Sequence, residues 1–328
     1  MSKKISMQDI ADRLNISRMT VSKAFKNDTD ISIEMRDKVR LTAQEMGYQY
    51  TKNDQLDLIV LVPEVFLAVT EDFYTTLYKR LSENALTKNI HFVLHVVSKH
   101  DERHRITHFS TQGKHGILMV GQFDKAYVVQ VEQLQLPMVC VDFYYDDLNL
   151  DSVASNNFNA GYIAAKYLIN AGHHEIGYVG SIPSTNSIID RYLGYTKALI
   201  EKGIDHQHAV IIKDRNDSGE MIDLVLPKHL PSAFVCNNDH VAYLLIQKLQ
   251  KIGKKVPEDI SVIGFDDVIY SRISNPQITT MKVSRKYMAE QAITLMIRRI
   301  KNKKAKYINM NIECLMVERQ SVSTYKGD

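Results

Sequence analysis

The chain has 328 residues, of which 45% are hydrophobic and 24% charged, and its formal net charge is +3 at pH 7. This is the composition of an ordinary soluble globular protein, with enough residues for a small domain and a larger or divided one. The most apolar stretch, residues 56–69, contains Asp57, Pro63 and Glu64 and is too short to span a bilayer, so we expect no membrane association.

The amino-terminal residues and the cysteines predict the compartment. The first nine residues contain no apolar stretch of the kind that a secretory signal needs. The three cysteines are far apart and odd in number, and two of them lie in apolar runs: Cys140, Cys236 and Cys314. We therefore expect reduced thiols in a cytoplasmic protein.

The first fifty residues predict three short helices. Ser6 and Asp9 form a capping-box pattern that begins a helix, and Asn15 tolerates the left-handed backbone that ends it. Ser17 caps a second helix, whose apolar residues Val21, Ala24 and Phe25 face inward. A third helix follows from Ser32 and stops at Gly47.

The second helix has a polar, basic outer face. Its outward residues are Arg18, Met19, Ser22, Lys23 and Lys26. Residues 1–53 contain ten Lys or Arg and seven Asp or Glu, so the excess positive charge of the whole chain lies in this part. A tight turn between two short helices and a basic face are typical of a helix-turn-helix that places one helix in the DNA major groove. The alternative is an ordinary three-helix bundle with a polar exterior.

From Leu58 onward apolar runs alternate with helical segments. The runs predict eight buried strands at 58–62, 91–97, 116–121, 138–142, 175–181, 209–213, 232–238 and 261–267. Repeated strand–helix units imply parallel sheets, either one wide sheet or two lobes with the chain returning to the first. Ligands of such folds bind at the carboxyl ends of the strands. Those ends carry Pro63, Asp142, Ser181, Asn237, Asn238, Asp266 and Asp267.

Several longer motifs occur together in a fixed order. They are TVSKAF, VRLTAQEMGY, AGYIAAKYLINAGHHEIGYVG, DRYLGYTKALIEKGI, AFVCNND and VPEDISVIGFDDVIYSRISNPQITTM. With these motifs the chain resembles, over nearly its full length, the lactose-repressor/galactose-repressor (LacI/GalR) family of bacterial transcription regulators. The resemblance implies an α/β protein with a helix-turn-helix head, a two-lobed body similar to periplasmic binding proteins, and a homodimer.

The resemblance also implies roles for individual residues. Arg18, Met19 and Lys23 occupy base-reading positions, and the remaining DNA-binding candidates are Ser6, Ser17, Thr20, Ser22 and Lys26. For the effector cleft, the matching positions are the aromatic pair Phe73 and Tyr74 and the polar residues Asn157, Arg191, Asn238 and Asp266. Such a set suits a polyhydroxylated ligand, because it combines a ring face with hydrogen-bond donors and acceptors. The alternative for the Asn and Asp residues is that they cap turns at strand ends.

The segment behind the head departs from the family pattern. Gly47-Tyr48 is followed by QYTKNDQLD, which is shorter than the usual linker and has no proline. A hinge helix that wedges a leucine into the minor groove is therefore in doubt. Near the cleft, Asp214 occupies a place where the family often has an aromatic residue.

Other patterns carry less weight. His100, His104 and His108 would share one face of a helix and could bind zinc or nickel, but a solvated surface helix is the simpler interpretation. No P-loop, GxSxG or GxGxxG motif occurs, so we expect neither an enzyme nor a bound cofactor or metal.

The sequence thus predicts a DNA-binding regulator, most simply a repressor of a palindromic operator, controlled by a sugar or sugar derivative. The expected divisions are a head at 1–48, a short linker at 49–57 and an effector body at 58–328. Within the body, lobe 1 would comprise about 58–155 plus 285–328, and lobe 2 about 156–284. The alternatives are a cytoplasmic solute-binding protein and a regulator that responds to a protein or phosphoprotein.

Overall fold

The computed structural model describes residues 5–25, 28, 30–48, 55–67, 72–216, 219–325 and 327. Lys26 and residues 49–54 of the linker lie outside these ranges, so the expectations for them stay predictions. No helix within the described ranges is both long enough and apolar enough to cross a membrane.

The head consists of three helices, as predicted: α1 (Met7–Leu14), α2 (Arg18–Phe25) and α3 (Ile33–Glu45). The capping box at Ser6 is present, because its hydroxyl accepts from the Asp9 amide while the Asp9 carboxylate accepts from the Ser6 amide. Asn15 has a φ of 55° and ends α1 in the left-handed region. The buried core of the head is Ile10, Ala11, Val21, Ala24, Val39 and Ala43.

The first lobe contains a six-stranded sheet in the order β11-β5-β4-β3-β1-β2. Its elements are β1 (Leu56–Pro63), α4 (Asp72–Thr87), β2 (Ile90–Val97), α5 (Lys99–His104), β3 (Gly116–Val120), α6 (Lys125–Glu132), β4 (Met138–Val141), β5 (Asp151–Ser155), α11 (Arg285–Lys301) and β11 (Asn309–Ile312). The pairs from β1 through β3, β4 and β5 to β11 are parallel. Parallel strands with helices between them bury apolar residues on both faces of a sheet.

The second lobe contains another six-stranded sheet in the order β12-β10-β9-β8-β6-β7. Its elements are α7 (Asn157–Asn170), β6 (Ile176–Val179), α8 (Asn186–Glu201), β7 (Ile211–Ile212), β8 (Ala233–Cys236), α9 (Asp239–Lys251), β9 (Ser261–Asp266), α10 (Ile269–Ile273), β10 (Thr279–Lys282) and β12 (Leu315–Val317). All eight strands expected from the apolar runs are present, and β5, β10, β11 and β12 are additional.

The chain passes between the lobes three times, after Ser155, after Lys282 and between Ile312 and Leu315. The expected return to the first sheet is confirmed by α11 and β11. The expectation that lobe 1 extends to residue 328 is wrong, because β12 pairs antiparallel with β10 in the second sheet. Ser321 reinforces this placement, since its hydroxyl accepts from the Thr279 amide at 2.8 Å.

The three histidines His100, His104 and His108 do not share one face of a helix. Helix α5 ends at His104, and Arg105 follows it with a φ of 58°, so His108 is not on the helix. Among the residues that the structure describes, no group of three or more His, Cys, Asp or Glu side chains could hold a metal ion. The simpler interpretation, an exposed surface segment, fits His100 and His104.

Helices α7 and α8 cross closely at two glycines. A Cβ on Gly194 would overlap with the carbonyl oxygen of Phe158, and a Cβ on Gly161 would overlap with that of Arg191. Both obstacles are backbone atoms, which cannot turn aside as a flexible side chain could. This close approach sets the position of α8, and hence of Arg191, against α7.

We expect Gly194→Ala to lower the free energy of unfolding by about 3 kcal/mol, because the added methyl group forces the two helices apart. Denaturant unfolding of the purified protein measures this change. Ile200→Ala is the matched control, since Ile200 lies on the same helix and is 55% exposed; it should change stability by less than about 0.5 kcal/mol. A Gly194→Ala protein as stable as the control would contradict the packing argument.

Candidate functional sites

The exposed end of α2 presents the predicted DNA-reading side chains. The Ser17 hydroxyl accepts from the Thr20 amide at 3.0 Å and so caps α2, as expected. Arg18 is exposed and Met19 is 71% exposed, so both side chains are accessible at the surface of the head. Thr20 and Ser22 are half-buried beside them.

Lys23 is held by two acidic residues in the head. Its ammonium nitrogen lies 2.8 Å from an Asp30 carboxylate oxygen and 3.9 Å from Asp28. The hydrogen bond to Asp30 raises the pKa of Lys23, and Asp28 adds to that rise. Lys23 would therefore have to exchange these carboxylates for a base or a phosphate before it could contact DNA. Its assignment to base reading stays a prediction, as do those of Ser6 and Lys26.

A cavity lies between the lobes, at the carboxyl ends of the strands where ligands of such folds bind. Five of the six predicted cleft residues line it with a side chain or backbone: Phe73, Tyr74, Arg191, Asn238 and Asp266. Asn157 does not line it.

The first lobe contributes an aromatic wall. The ring of Tyr74 lies 4.5 Å from that of Phe66 and 5.1 Å, edge-on, from that of Phe73. The Tyr74 hydroxyl donates to a carboxylate oxygen of Asp142 at 2.8 Å, which fixes the orientation of the ring. The wall offers flat apolar surface with one acidic group at its edge, an arrangement that suits the apolar face of a ring.

The second lobe contributes a buried arginine. The Nε of Arg191 donates to the side-chain oxygen of Asn157 at 2.9 Å, and its Nη1 donates to the carbonyl of Asn237. Its guanidinium lies 3.6 Å from the ring of Phe265, and its Nη2 lies 3.6 Å from an oxygen of Asp266. Three of its sides are thus held by protein, which aims the remaining donors at the cavity.

Asp266 is strained and incompletely paired. Its φ is 100°, a conformation that side chains other than glycine rarely adopt. Within the described part of the chain, its buried Oδ1 has no hydrogen-bond partner. Burial raises the pKa of the Asp266 carboxyl above its ordinary value, while Arg191 opposes that rise. A strained residue with a buried, incompletely paired acceptor that lines a cavity is typical of a binding site.

The raised pKa of Asp266 gives a pH-dependent stability. An acid whose pKa is raised on folding contributes stability that is complete below its ordinary pKa and is lost as pH rises through the folded value. We therefore expect the free energy of unfolding of Asp266→Asn, relative to that of the native protein, to rise by about 1 kcal/mol between pH 4 and pH 7. The reason is that only the native protein must ionise a buried carboxyl at this position as the pH rises. Denaturant unfolding at both pH values tests this, and an equal difference at pH 4 and pH 7 would contradict it.

The two asparagines differ from their expected role. Asn157 is 2% exposed and lies behind Arg191, so it positions the arginine and does not itself face the cavity. Asn238 caps α9, because its side-chain oxygen accepts from the Val241 amide at 2.8 Å. The capping interpretation therefore describes Asn238, although it also borders the cavity.

Sequence reasoning missed several lining residues, namely Phe66, Gln122, Thr185, Ser187, Arg215, His240 and Tyr270. His240 stacks on Tyr270 with ring centroids 4.4 Å apart, and burial lowers its pKa, so the imidazole is neutral near pH 7.

Asp214 is fully buried, and its carboxylate accepts from the Ser181 amide, so it supports the site from behind. The neighbouring Arg215 faces the cavity. The polar ends of the strands are a sequence signal that points to this region.

Two family models match the chain. One, "Bacterial regulatory proteins, lacI family", matches residues 6–50, and the other, "Periplasmic binding protein-like domain", matches residues 165–322. The "HTH-type transcriptional repressor PurR" of Pectobacterium atrosepticum is 26% identical over 97% of each chain. The "Ribose operon repressor" of Haemophilus influenzae is 25% identical over 98% of this chain and 99% of its own.

Solved structures share the fold. A CelR–cellobiose complex matches with a TM-score of 0.70 at 20% identity, covering 97% of this chain and 99% of its own. The lac repressor dimer bound to operator and the anti-inducer ONPF also has a TM-score of 0.70, at 18% identity, covering 98% of this chain and 100% of its own. These likenesses confirm the predicted α/β class, with a helix-turn-helix and two parallel-sheet lobes.

Proposed function

Because this chain belongs to the LacI/GalR family of bacterial transcriptional regulators, we propose that it represses transcription from a palindromic operator under the control of a small molecule. The control by a small molecule is proposed from the cavity that the aromatic wall and the Arg191–Asp266 pair line together. The binding to operator DNA is proposed from the exposed Arg18 and Met19 at the start of α2. We also propose that the head ends near residue 48 and that the linker ends before Leu56, where β1 begins, two residues earlier than the sequence predicts.

The effector that fits the cavity is a carbohydrate or a carbohydrate derivative. Arginine donates to paired hydroxyls, aspartate accepts from them, and an aromatic face covers the apolar side of a sugar ring. The Haemophilus relative is named for ribose and the CelR structure holds cellobiose, which supports this class without naming the sugar. We propose that the cavity binds a ligand and does not catalyse a reaction, and we assign no nucleophile–base pair to it.

Control of DNA binding would come from movement of the lobes. Three chain crossings form the hinge between the two sheets, so a ligand that contacts both lobes favours one arrangement of them. In a homodimer two heads must meet two half-sites together, so a small change in their presentation becomes a large change in operator affinity. On DNA, Arg18 would donate to guanine and Met19 would pack against thymine methyl groups.

A thermal-shift screen of the full chain tests the effector assignment. The panel is ribose, cellobiose, other mono- and disaccharides, sugar phosphates and nucleobases. A ligand at 100 times its Kd should stabilise the protein by about 2.7 kcal/mol, and the same compound should change the affinity for an operator selected from random duplexes. Stabilisation by a compound that leaves operator affinity unchanged would contradict the regulatory role.

The second candidate is a regulator controlled by a protein or phosphoprotein. The formed cavity, with its aromatic wall and oriented guanidinium, favours the small molecule. If no compound in the panel shifts the melting temperature while operator binding is intact, the protein partner becomes the better proposal.

A further inference from the structure

Three polar residues meet where neighbouring parallel strands of the second sheet end. Ser181 follows β6, Asp214 follows β7 and Asn237 follows β8, and both Asp214 and Asn237 are fully buried. One carboxylate oxygen of Asp214 accepts from the Ser181 amide at 2.7 Å, and the other accepts from the side-chain nitrogen of Asn237 at 2.9 Å. The Nε of Arg215 donates to that second oxygen at 3.2 Å. Three donors thus compensate the burial of the Asp214 carboxylate.

Asp214 fixes the orientation of the Asn237 side-chain amide. A carboxylate only accepts hydrogen bonds, so the group of Asn237 that faces it is the NH₂ and the oxygen Oδ1 lies on the other side. The backbone of Asn237 is engaged as well, since its amide donates to the Val179 carbonyl at 2.8 Å and its carbonyl accepts from Arg191. The Oδ1 is buried, and within the described ranges of the chain it has no hydrogen-bond partner. Because Asn237 lines the cavity, a bound ligand can supply that partner.

We propose that Asn237 selects the effector by one hydroxyl group, which donates to its Oδ1, and that Asp214 is the positioning residue that holds Asn237 for this contact. A buried acceptor without a partner is costly, so a ligand that supplies the donor is favoured over one that lacks it. The Oδ1 of Asp266 is a second unpaired acceptor on a residue that lines the same cavity, in the part of the chain that the structure describes. The effector therefore presents two hydroxyl groups to the second lobe, one for each acceptor. This inference rests on the proposed function, because it assumes that the effector is a sugar.

A cycle in which both the protein and the sugar are changed tests the contact with Asn237. Asn237→Ala removes the acceptor and leaves Asp214 with the donors of Ser181 and Arg215, so the variant should fold. Asn170→Ala is the matched control, because Asn170 is exposed at the end of α7 and does not line the cavity. The probes are the sugar of the screening panel that gives the largest thermal shift and each of its monodeoxy analogues, such as deoxyribose beside ribose. Calorimetric titration of the full-length proteins measures each Kd.

We expect one deoxy analogue to bind the native protein and Asn170→Ala about tenfold more weakly than the parent sugar, because it leaves the Asn237 acceptor unpaired. Asn237→Ala should bind that analogue and the parent sugar within about twofold of each other. A second analogue, which lacks the hydroxyl that donates to Asp266, should still be rejected by Asn237→Ala. A merely structural role of Asn237 would not change the ratio of the two affinities at one hydroxyl alone.

Asn237→Ser keeps a small polar group beside Asp214 and provides the same comparison if Asn237→Ala does not fold. Equal weakening of the parent sugar and of all its analogues in the variant would overturn the contact, while the sugar effector would stand. Absence of binding by every sugar of the panel to the native protein is a different result. It would overturn the proposed sugar effector and, with it, the role of Asn237.

Discussion

Replacing Arg18 by alanine is expected to remove most of the preference for operator over random duplex. A bidentate arginine–guanine contact contributes about 1–3 kcal/mol of discrimination, and a dimer would lose two of them. The combined loss corresponds to a reduction in specificity of about 30-fold or more. Arg18 is exposed at the start of α2, so the variant should fold with unchanged stability.

Arg13→Ala is the matched control for this experiment. Arg13 is exposed in the last turn of α1, in the same head and with the same charge, but it lies outside the predicted reading helix. Its loss should weaken binding equally for operator and random duplex, and it should lower the salt dependence of binding. Titration of both variants against both duplexes at two salt concentrations separates the effects. Retained sequence preference in Arg18→Ala would show that another surface reads the bases.

The head could be predicted closely because its signals are local. The capping box at Ser6, the left-handed Asn15, the Ser17 cap and the stop at Gly47 each act within a few residues, and each is present in the structure. Lys23 shows the limit of such reasoning. Its pairing with Asp30 depends on where the segment after α2 places a carboxylate, and helical spacing alone does not contain that information.

In the body, apolar strands could be predicted and polar ones could not. Strand β5 begins with Asp151, which is fully buried because Arg299 donates to it at 2.7 Å from a helix 148 residues away. Strand β10 buries Thr280, whose hydroxyl donates to the buried Asp239. Such residues suggest loops when their partners are unknown. Only the tertiary fold supplies the partners that make these residues acceptable inside a sheet.

In the cleft, too, some residues could be predicted from the sequence and others depend on the tertiary fold. Phe73, Tyr74, Arg191 and Asp266 were expected from the resemblance, and the structure brings them to one cavity. Gln122 and Thr185 could not be expected, because they meet only when the two lobes face each other across a hinge. Asn157 lies close to the site, as expected, but its position on α7 places it behind Arg191. It therefore holds the arginine and does not face the cavity.

Replacing Arg191 is expected to abolish the response to the effector. Arg191→Ala removes the central donor of the cavity and leaves the Asp266 carboxylate without its nearest cation. Losing one partner of a buried charged pair costs about 3–5 kcal/mol. The cost appears as lost ligand affinity where the ligand bonds to the arginine, and as lost folding stability where it does not. Operator binding without effector should remain, because the reading surface is in the head. Thermal shift with the best compound of the screen, and operator titration with and without it, measure both.

A charge-matched control and a double variant separate binding from stability. Arg272→Ala is the control, since Arg272 pairs with Asp267 in the same lobe but is 54% exposed and does not line the cavity; it should keep the effector response. If the stability lost in Arg191→Ala comes from the unpaired Asp266 carboxylate, then adding Asp266→Asn should restore most of it. The effector response should stay absent in the double variant, because neither the oriented donor nor the charged acceptor remains. Recovery of the response along with stability would mean that Arg191 supports the fold and that other side chains bind the ligand.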